Sequence, residues 1–298
     1  MAAIETAGLT KRYGTVTAVD DLSISVREGA VTGFLGPNGA GKTTTLRMIL
    51  ALARPSAGHA TVFGRPYAQL DDPAHTVGAN LEIAGAHPGR KGRDHLRALA
   101  AMAQIPRSRV EEVLRLVELS DAADRRAGKY SMGMRQRLGL AATLLGDPQI
   151  LILDEPANGL DPQGIRWLRD FLRGLAAEGR TVLVSSHVLA EVAQTVDDVV
   201  VIHRGKLVDQ GPVGRLTAGG HVVVRSPRAD ELRAALEAAG LAVTVDGDEL
   251  VVDAEDPARV GDIAFQASLP LHELTTRATS LEEAFLALTS DQPAEPPA

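Results

Sequence analysis

The sequence contains no cysteine. This absence excludes disulfide bonds and metal centres that depend on thiolate ligands. A chain without cysteine is compatible with a reducing compartment, so we expect a location in contact with the cytoplasm.

Long apolar runs are also missing from the sequence. The densest, Ile150–Leu153 and Val199–Ile202, suit strands, whereas a membrane-spanning helix needs about 18 or more apolar residues. Residues 1–14 have no apolar core of the kind found in a secretory signal. We therefore expect a chain that neither crosses a membrane nor is secreted.

The sequence also lacks an excess of basic residues. The 298 residues carry a formal net charge of −7, with a pI near 5.6. Binding to a nucleic-acid backbone needs a basic surface, so we expect no nucleic-acid partner. The length and the 45% hydrophobic content are sufficient for one large domain and one smaller domain.

Residues 1–216 alternate short β-branched runs with helical patterns, which is typical of an α/β domain. Three apolar runs are predicted to be buried strands: Val31–Leu35, Ile150–Leu153 and Thr181–Ser185. Apolar residues at helical spacing, from Val110 to Val117, predict a helical subdomain at about residues 83–147.

A glycine-rich break at residues 217–220 separates this domain from the rest of the chain. Residues 220–289 read as strand, helix, hairpin, helix, strand and helix, with the hairpin turning at Asp246–Asp248. The β-α-β-β-α-β order predicts a small α+β, ferredoxin-like accessory domain. Residues 290–298 are proline-rich and are expected to be disordered.

A phosphate-binding loop follows the first predicted buried strand. Gly36, Pro37, Asn38, Gly39, Ala40, Gly41, Lys42 and Thr43 match the pattern G-x-x-x-x-G-K-[ST], and Thr44 continues into a predicted helix. The glycines let backbone N–H groups surround a phosphate at the helix N-terminus. Lys42 is predicted to reach the β- and γ-phosphates, and the Thr43 hydroxyl to ligate Mg²⁺.

Two adjacent carboxylates, Asp154 and Glu155, end the strand Ile150–Leu153. Side chains alternate in direction along a strand, so the two carboxylates are expected to serve different positions. Asp154 suits the surroundings of Mg²⁺ and Glu155 suits a water that attacks the phosphate. An ordinary strand end carrying acids into a loop would look the same, and it is the phosphate loop that favours the catalytic interpretation.

With these motifs in this order, the chain resembles the ATP-binding cassette (ABC) ATPases, a branch of the P-loop NTPases. Four further segments resemble family motifs: Tyr13 the adenine-stacking aromatic, Tyr130–Arg137 the signature, Asn158–Asp161 the loop that crosses to the partner subunit, and His187 the switch histidine. The resemblance implies that Ser131 and Gly133 face a phosphate. Ser131 would also serve as a simple helix cap, Tyr13 as a strand-edge residue and His187 as a structural histidine.

Two departures from the family pattern stand out. Met132 and Met134 occupy signature positions where glycine and glutamine are commonest, and Met132 is large enough to crowd a nucleotide. Glu82 stands where the family carries a glutamine, and its carboxylate would still ligate Mg²⁺ while adding negative charge beside the γ-phosphate.

The resemblance implies an ATP hydrolase that works as one of a pair, each ATP lying between the phosphate loop of one subunit and the signature of the other. We expect a second ATPase subunit, as a homodimer, and a separate transmembrane permease that holds the pair at the cytoplasmic face of the membrane. Residues 82–95 are the expected docking face. The signature region and Ser280–Phe285 resemble the drug- and antibiotic-exporting branch.

Three other functions fit less well. An importer subunit more often carries a β-barrel-like appendage. A soluble ABC ATPase acting on ribosomes or DNA usually has two cassettes or a long coiled-coil insertion, and neither is present. A regulatory module without catalysis is expected to lack Glu155 or His187.

Overall fold

The computed structural model describes residues 1–81, 85–188, 194–216, 220–254, 256–278, 281–283 and 285. The predicted metal ligand Glu82, the predicted tail at 290–298 and half of the last predicted helix lie outside these residues. Two compact units are present, Met1–Val213 and Gly214–Ala298.

A six-stranded sheet forms the centre of the first unit, in the order β10-β9-β4-β8-β7-β6. Its strands are β4 (Val31–Leu35), β6 (Val77–Asn80), β7 (Ile150–Leu153), β8 (Thr181–Ser186), β9 (Asp198–His203) and β10 (Lys206–Pro212). All neighbours are parallel except β10 and β9. Strands β4, β7 and β8 are buried along their whole length, which explains why they are almost continuously apolar in the sequence.

A second, antiparallel sheet contains β1 (Ala2–Tyr13), β2 (Val16–Leu22), β3 (Ser25–Arg27) and β5 (Ala57–Val62). The long strand β1 pairs with all three of the others. Apolar side chains from this sheet, such as Ile4 and Leu22, join Phe34 and Ile152 of the central sheet in one hydrophobic core.

The α-helices described in the first unit are α1 (Lys42–Ile49), α2 (Pro73–Thr76), α3 (Gly92–Met102), α4 (Arg107–Leu116), α5 (Met132–Thr143) and α6 (Pro162–Ala177). Helix α7 (Val213–Leu216) begins at the last residue of this unit. Helices α3, α4 and α5 occupy the region where the sequence predicts a helical subdomain, and Val110, Val113 and Leu114 are fully buried there. Within the described part of the chain, no helix is both long and apolar enough to cross a membrane.

In the part of the second unit that the structure describes, a four-stranded antiparallel sheet is accompanied by two helices, and residues 281–283 and 285 are also helical. Its elements are β11 (Gly220–Arg225), α8 (Ala229–Ala238), β12 (Val243–Asp246), β13 (Glu249–Val252), α9 (Pro257–Gln266) and β14 (Glu273–Ala278), and the strand order is β12-β13-β11-β14. This unit has its own hydrophobic core, in which Leu232 and Leu236 of α8 lie in one cluster with Val224 of β11.

The element order predicted for this unit is the observed one as far as β14, while its assignment to the ferredoxin-like folds stays a prediction. Strand β14 begins two residues later than the predicted start at Leu271. Strand β11 ends at Arg225, which pairs with Glu273. The pairing of β11 with β14 ends at these two residues, so β14 begins at Glu273.

Candidate active site

The loop between β4 and α1 contains two glycines at which a side chain would collide with neighbouring backbone. At Gly36 a Cβ atom would lie 2.5 Å from the carbonyl oxygen of Ile202. Gly41 has a φ of 101°, and a Cβ there would lie 2.5 Å from the carbonyl oxygen of Ala18. The backbone is therefore held close to neighbouring strands, with the positive N-terminus of α1 behind the loop.

Lys42 is the first residue of α1, and its side chain is 6% exposed. Its amino group donates to the carbonyl oxygens of Gly36 at 2.6 Å and Pro37 at 3.3 Å. The same nitrogen lies 3.2 Å from Glu155 Oε1. A buried ammonium group needs such partners, and they hold Lys42 inside the curve of the loop.

Asp154 accepts one hydroxyl hydrogen on each carboxylate oxygen. Thr43 Oγ1 donates to Oδ2 at 2.6 Å, and Ser185 Oγ donates to Oδ1 at 2.5 Å. The backbone N–H of Asp154 donates to the carbonyl of Asn80, at the end of the neighbouring strand β6. Asp154 is therefore fixed against the phosphate loop from two sides.

Glu155 connects Lys42 to His187. Its Oε2 lies 2.8 Å from His187 Nδ1, while its Oε1 contacts Lys42. The Glu155 backbone has a φ of 49°, an uncommon left-handed conformation for a residue with a side chain, which costs roughly 1–2 kcal/mol. The Glu155 N–H donates to Ser185 Oγ at 2.9 Å, and this bond supports the strained position.

We call Gly36–Thr43, Asp154, Glu155 and His187 the cradle cluster. Among the described residues, no group of three or more His, Asp or Glu side chains could hold a metal on its own. The donor set nevertheless fits Mg²⁺, because this ion binds through few protein oxygens and takes the others from substrate phosphates and water. Thr43 and Asp154, in direct contact, are such a pair.

Ser131 and Asp161 are the N-caps of α5 and α6. Ser131 Oγ accepts from Met134 N at 3.2 Å, and Asp161 Oδ1 accepts from Gly164 N at 2.8 Å. A Cβ on Gly133 would lie 3.5 Å from the Leu160 side chain. Residues 131–133 and 158–161 thus form one group, which we call the signature cluster.

Met132 packs within the signature cluster, and 39% of its surface is exposed. Its Cγ lies 2.8 Å from the position that a Cβ on Gly159 would occupy, so Met132 packs against the bare backbone of Gly159. Gly159 has a φ of 74°, and its missing side chain makes room for the methionine. The enlarged signature residue is thus accommodated within the signature cluster.

Tyr13 ends β1 with 51% of its surface exposed. Its ring contacts the Lys11 amino group, which lies 4.9 Å from the ring centre. Strand β2, which pairs with Tyr13 through Val16, passes beside Gly41 at Ala18. The half-exposed ring therefore lies at the end of a strand pair that passes beside the cradle cluster.

Ser185 is a member of the site that the motifs do not single out. Strands β7 and β8 pair in parallel with Leu153 opposite Val184, so Asp154 lies next to Ser185. The register between two strands distant in sequence cannot be deduced from either strand alone. The signals in the sequence are the place of Ser185 at the end of a buried apolar strand and its position two residues before His187.

Comparisons with known proteins place most of this chain in regions that two family models match. The model of the ABC transporter family matches residues 19–158, and that of a domain of unknown function (DUF8746) matches residues 220–282. The bacitracin transport ATP-binding protein of Bacillus licheniformis is 43% identical, over 72% of this chain and 71% of its own length. The daunorubicin/doxorubicin resistance ATP-binding protein of Streptomyces peucetius is 36% identical, over 96% of this chain and 92% of its own.

One similar solved structure is an ATP-binding subunit of an ABC transporter. It superposes with a TM-score of 0.65 at 26% identity, covering 72% of this chain and 91% of that one.

Proposed function

This chain belongs to the ATP-binding subunits of ABC transporters, and we propose that it hydrolyses ATP to power the export of a drug, antibiotic or lipid-like compound through a separate membrane permease. The relatives named for bacitracin transport and for daunorubicin resistance support the export direction. The observation that carries the proposal is the contact of Lys42 and His187 with the two oxygens of Glu155.

The triphosphate is proposed to lie along Gly36–Thr44, with its phosphate oxygens replacing the loop carbonyls as partners of Lys42. The residues already holding the amino group are the Gly36 and Pro37 carbonyls, both in the same loop. Lys42 thus needs only a small movement to reach the phosphates. Tyr13 would stack on the adenine with its exposed face.

Glu155 is proposed to accept a proton from the attacking water, with Lys42 and His187 orienting its carboxylate. The Glu155 side chain is 19% exposed, so water can reach it from the solvent side. His187, with 36% of its side chain exposed, would lie toward the γ-phosphate. Positioning and electrostatic stabilisation account for most of the catalysis of phosphoryl transfer, and these three side chains supply both.

Thr43 and Asp154 are the proposed holders of Mg²⁺, with Glu82 as a third predicted ligand. The cation would neutralise charge on the phosphates. Thr43 directs its hydrogen to Asp154, which leaves the oxygen lone pairs of the hydroxyl free to face a cation.

Ser131, Gly133 and Asp161 are proposed to contact the ATP held by a second subunit, in a homodimer. The arrangement of the signature cluster supports this idea, because Ser131 is exposed and Gly133 lies beside the Leu160 side chain. An exposed N-cap at the start of a 12-residue helix presents N–H groups suited to an anion. ATP would then join the two subunits, and hydrolysis would release them.

A transmembrane permease is the other proposed partner, docked on residues 82–95 and holding this chain at the cytoplasmic face of the membrane. Helix α3 begins within this segment, at Gly92. The proposed docking segment belongs to the helical subdomain, whereas the nucleotide is proposed to bind at the cradle cluster. Docking and hydrolysis would then use different parts of the unit.

Replacing Glu155 with glutamine tests the proposal. Glu155→Gln keeps the shape but removes the basic carboxylate, so ATP turnover is expected to fall by roughly 100-fold or more while ATP affinity is retained. The variant should also accumulate as a dimer when ATP and Mg²⁺ are present, as measured by light scattering after size-exclusion chromatography. Turnover at the parental rate would refute the role of Glu155.

A matched control is Glu178→Gln, at the C-terminal cap of α6. The Glu178 side chain is 62% exposed and contacts Arg180 at 3.4 Å, away from the cradle cluster. It loses the same charge, and its turnover and oligomeric state should equal those of the parental chain.

A further inference from the structure

Ser185 is a polar residue that directly follows the apolar centre of strand β8. It has no exposed surface, and it follows Val182–Val184 in β8. A buried hydroxyl needs hydrogen-bond partners, and the partners of Ser185 are two consecutive residues of the cradle cluster.

The directions of these bonds are fixed by chemistry. The backbone N–H of Glu155 can only donate, so Ser185 Oγ accepts there at 2.9 Å. The single hydroxyl hydrogen is then available for Asp154 Oδ1, at 2.5 Å. One hydroxyl therefore joins the carboxylate proposed to hold the cation to the backbone of the residue proposed to activate water.

The Ser185 bond also restricts what Thr43 can do. With Oδ1 of Asp154 occupied by Ser185, Oδ2 faces Thr43 and receives its hydrogen at 2.6 Å. A carboxylate released by loss of Ser185 would turn more freely, and the Thr43 hydroxyl would lose its fixed direction. Such supporting bonds around metal ligands typically change metal affinity by roughly 10- to 100-fold.

We propose that Ser185 is a positioning residue that orients Asp154 and Thr43 toward the divalent cation accompanying ATP, while it holds the backbone of Glu155. This proposal rests on the proposed ATP-binding function. It assigns to Ser185 a role in cation affinity that is separable from nucleotide affinity, because Ser185 contacts Asp154 and Glu155 while Lys42 and the loop hold the phosphates.

The test measures cation and nucleotide binding separately in the full-length chain. Titration with Mn²⁺ in the presence of ATP, followed by electron paramagnetic resonance, reports cation affinity. Calorimetric titration with ATP in EDTA reports nucleotide affinity. For Ser185→Ala we expect the affinity for Mn²⁺ to fall by roughly 10- to 100-fold and the affinity for ATP in EDTA to stay within about twofold.

Two further variants make the result specific. Thr6→Val removes another buried hydroxyl that donates once, to Leu22 O, and accepts once, from Ile24 N, but lies in β1. It should leave Mn²⁺ affinity unchanged. Ser185→Thr keeps the hydroxyl, and a cavity of about 30 Å³ that Ser185 lines together with Pro156 and Leu168 gives room for a methyl group, so Mn²⁺ affinity should be near parental.

Unchanged Mn²⁺ affinity in Ser185→Ala would overturn the proposal, and so would an equal fall in Mn²⁺ affinity and in ATP affinity in EDTA. The latter would show that Ser185 supports the whole cradle cluster. If Ser185→Ala does not fold, as judged by thermal unfolding, Ser185→Thr decides the matter, and weakened Mn²⁺ binding in that folded variant would overturn it. A parental chain that binds no ATP would instead refute the proposed function on which the inference rests.

Discussion

Asp154 and Glu155 are neighbours in sequence, yet they contact different partners. Asp154 is held by the hydroxyls of Thr43 and Ser185, while Glu155 reaches Lys42 and His187. Alternation along the strand predicts this separation. The left-handed backbone of Glu155 adds to it, because the chain turns away from β7 immediately after Asp154.

His95 in α3 is a buried residue with an unpaired ring nitrogen, Nδ1, and it is 8% exposed. Burial lowers the pKa of His95, and the nearby charge of Arg90 lowers it further. In the unfolded chain the pKa of His95 is expected to be about 6.5. At pH values between the lowered pKa and about 6.5, His95 is therefore protonated in the unfolded chain but neutral in the folded chain. Stability is therefore fully present above about pH 6.5 and is lost as the pH falls through the lowered pKa.

We therefore expect His95→Gln to reduce the fall in thermal unfolding temperature between about pH 7.5 and about pH 5.5. The exposed His59→Gln serves as the control and should keep the parental pH dependence. Differential scanning calorimetry at the two pH values measures both. A His95→Gln variant with the full parental fall would contradict the assignment of this acid sensitivity to His95.

At the scale of elements, close backbone contacts fix how β6 packs on α5. A Cβ on Gly78 would lie 2.1 Å from the carbonyl oxygen of Thr143, the last residue of α5. This contact joins the central sheet to the helix that begins at Ser131. The distance between the signature cluster and the sheet is thus set partly by the absence of a single side chain.

Gly78→Ala is expected to destabilise the first unit by roughly 1–3 kcal/mol, because backbone atoms must move to admit the methyl group. Gly174→Ala in α6 is the matched control, since a Cβ there meets nothing within 4 Å. The control should gain roughly 0.5–1 kcal/mol from helix propensity. Urea unfolding measures both, and a neutral Gly78→Ala would show that α5 shifts freely against the sheet.

The elements themselves could largely be predicted from the sequence. The fully buried strands β4, β7 and β8 lie where continuous apolar runs predict them, because a parallel sheet covered on both faces needs such runs. The role of Ser185 could not be predicted, since it depends on the pairing of β7 with β8. The packing of Met132 on Gly159 depends on a loop conformation that no periodic pattern encodes.

At the scale of the whole molecule, the chain has two units with separate cores. The phosphate loop, the two carboxylates, the signature and His187 lie in the first unit, whereas Ser280–Phe285, which resembles the exporting branch, lies in the second. The second unit matches a domain of unknown function, and we expect it to steady the dimer or the complex with the permease. Deleting it without any effect on dimer formation or transport would remove this expectation.

The most direct test of the account asks whether the cradle cluster of one copy meets the signature cluster of another. Because the chain has no cysteine, single cysteines report contacts without background. Asn38→Cys and Met132→Cys, each in the Glu155→Gln background, place one exposed thiol in each cluster.

We expect a covalent dimer on oxidation only when the two variants are mixed and ATP with Mg²⁺ is present. If the chain carrying both cysteines instead cross-links within itself, and the mixture of single variants yields no ATP-dependent dimer, ATP is not shared between two copies.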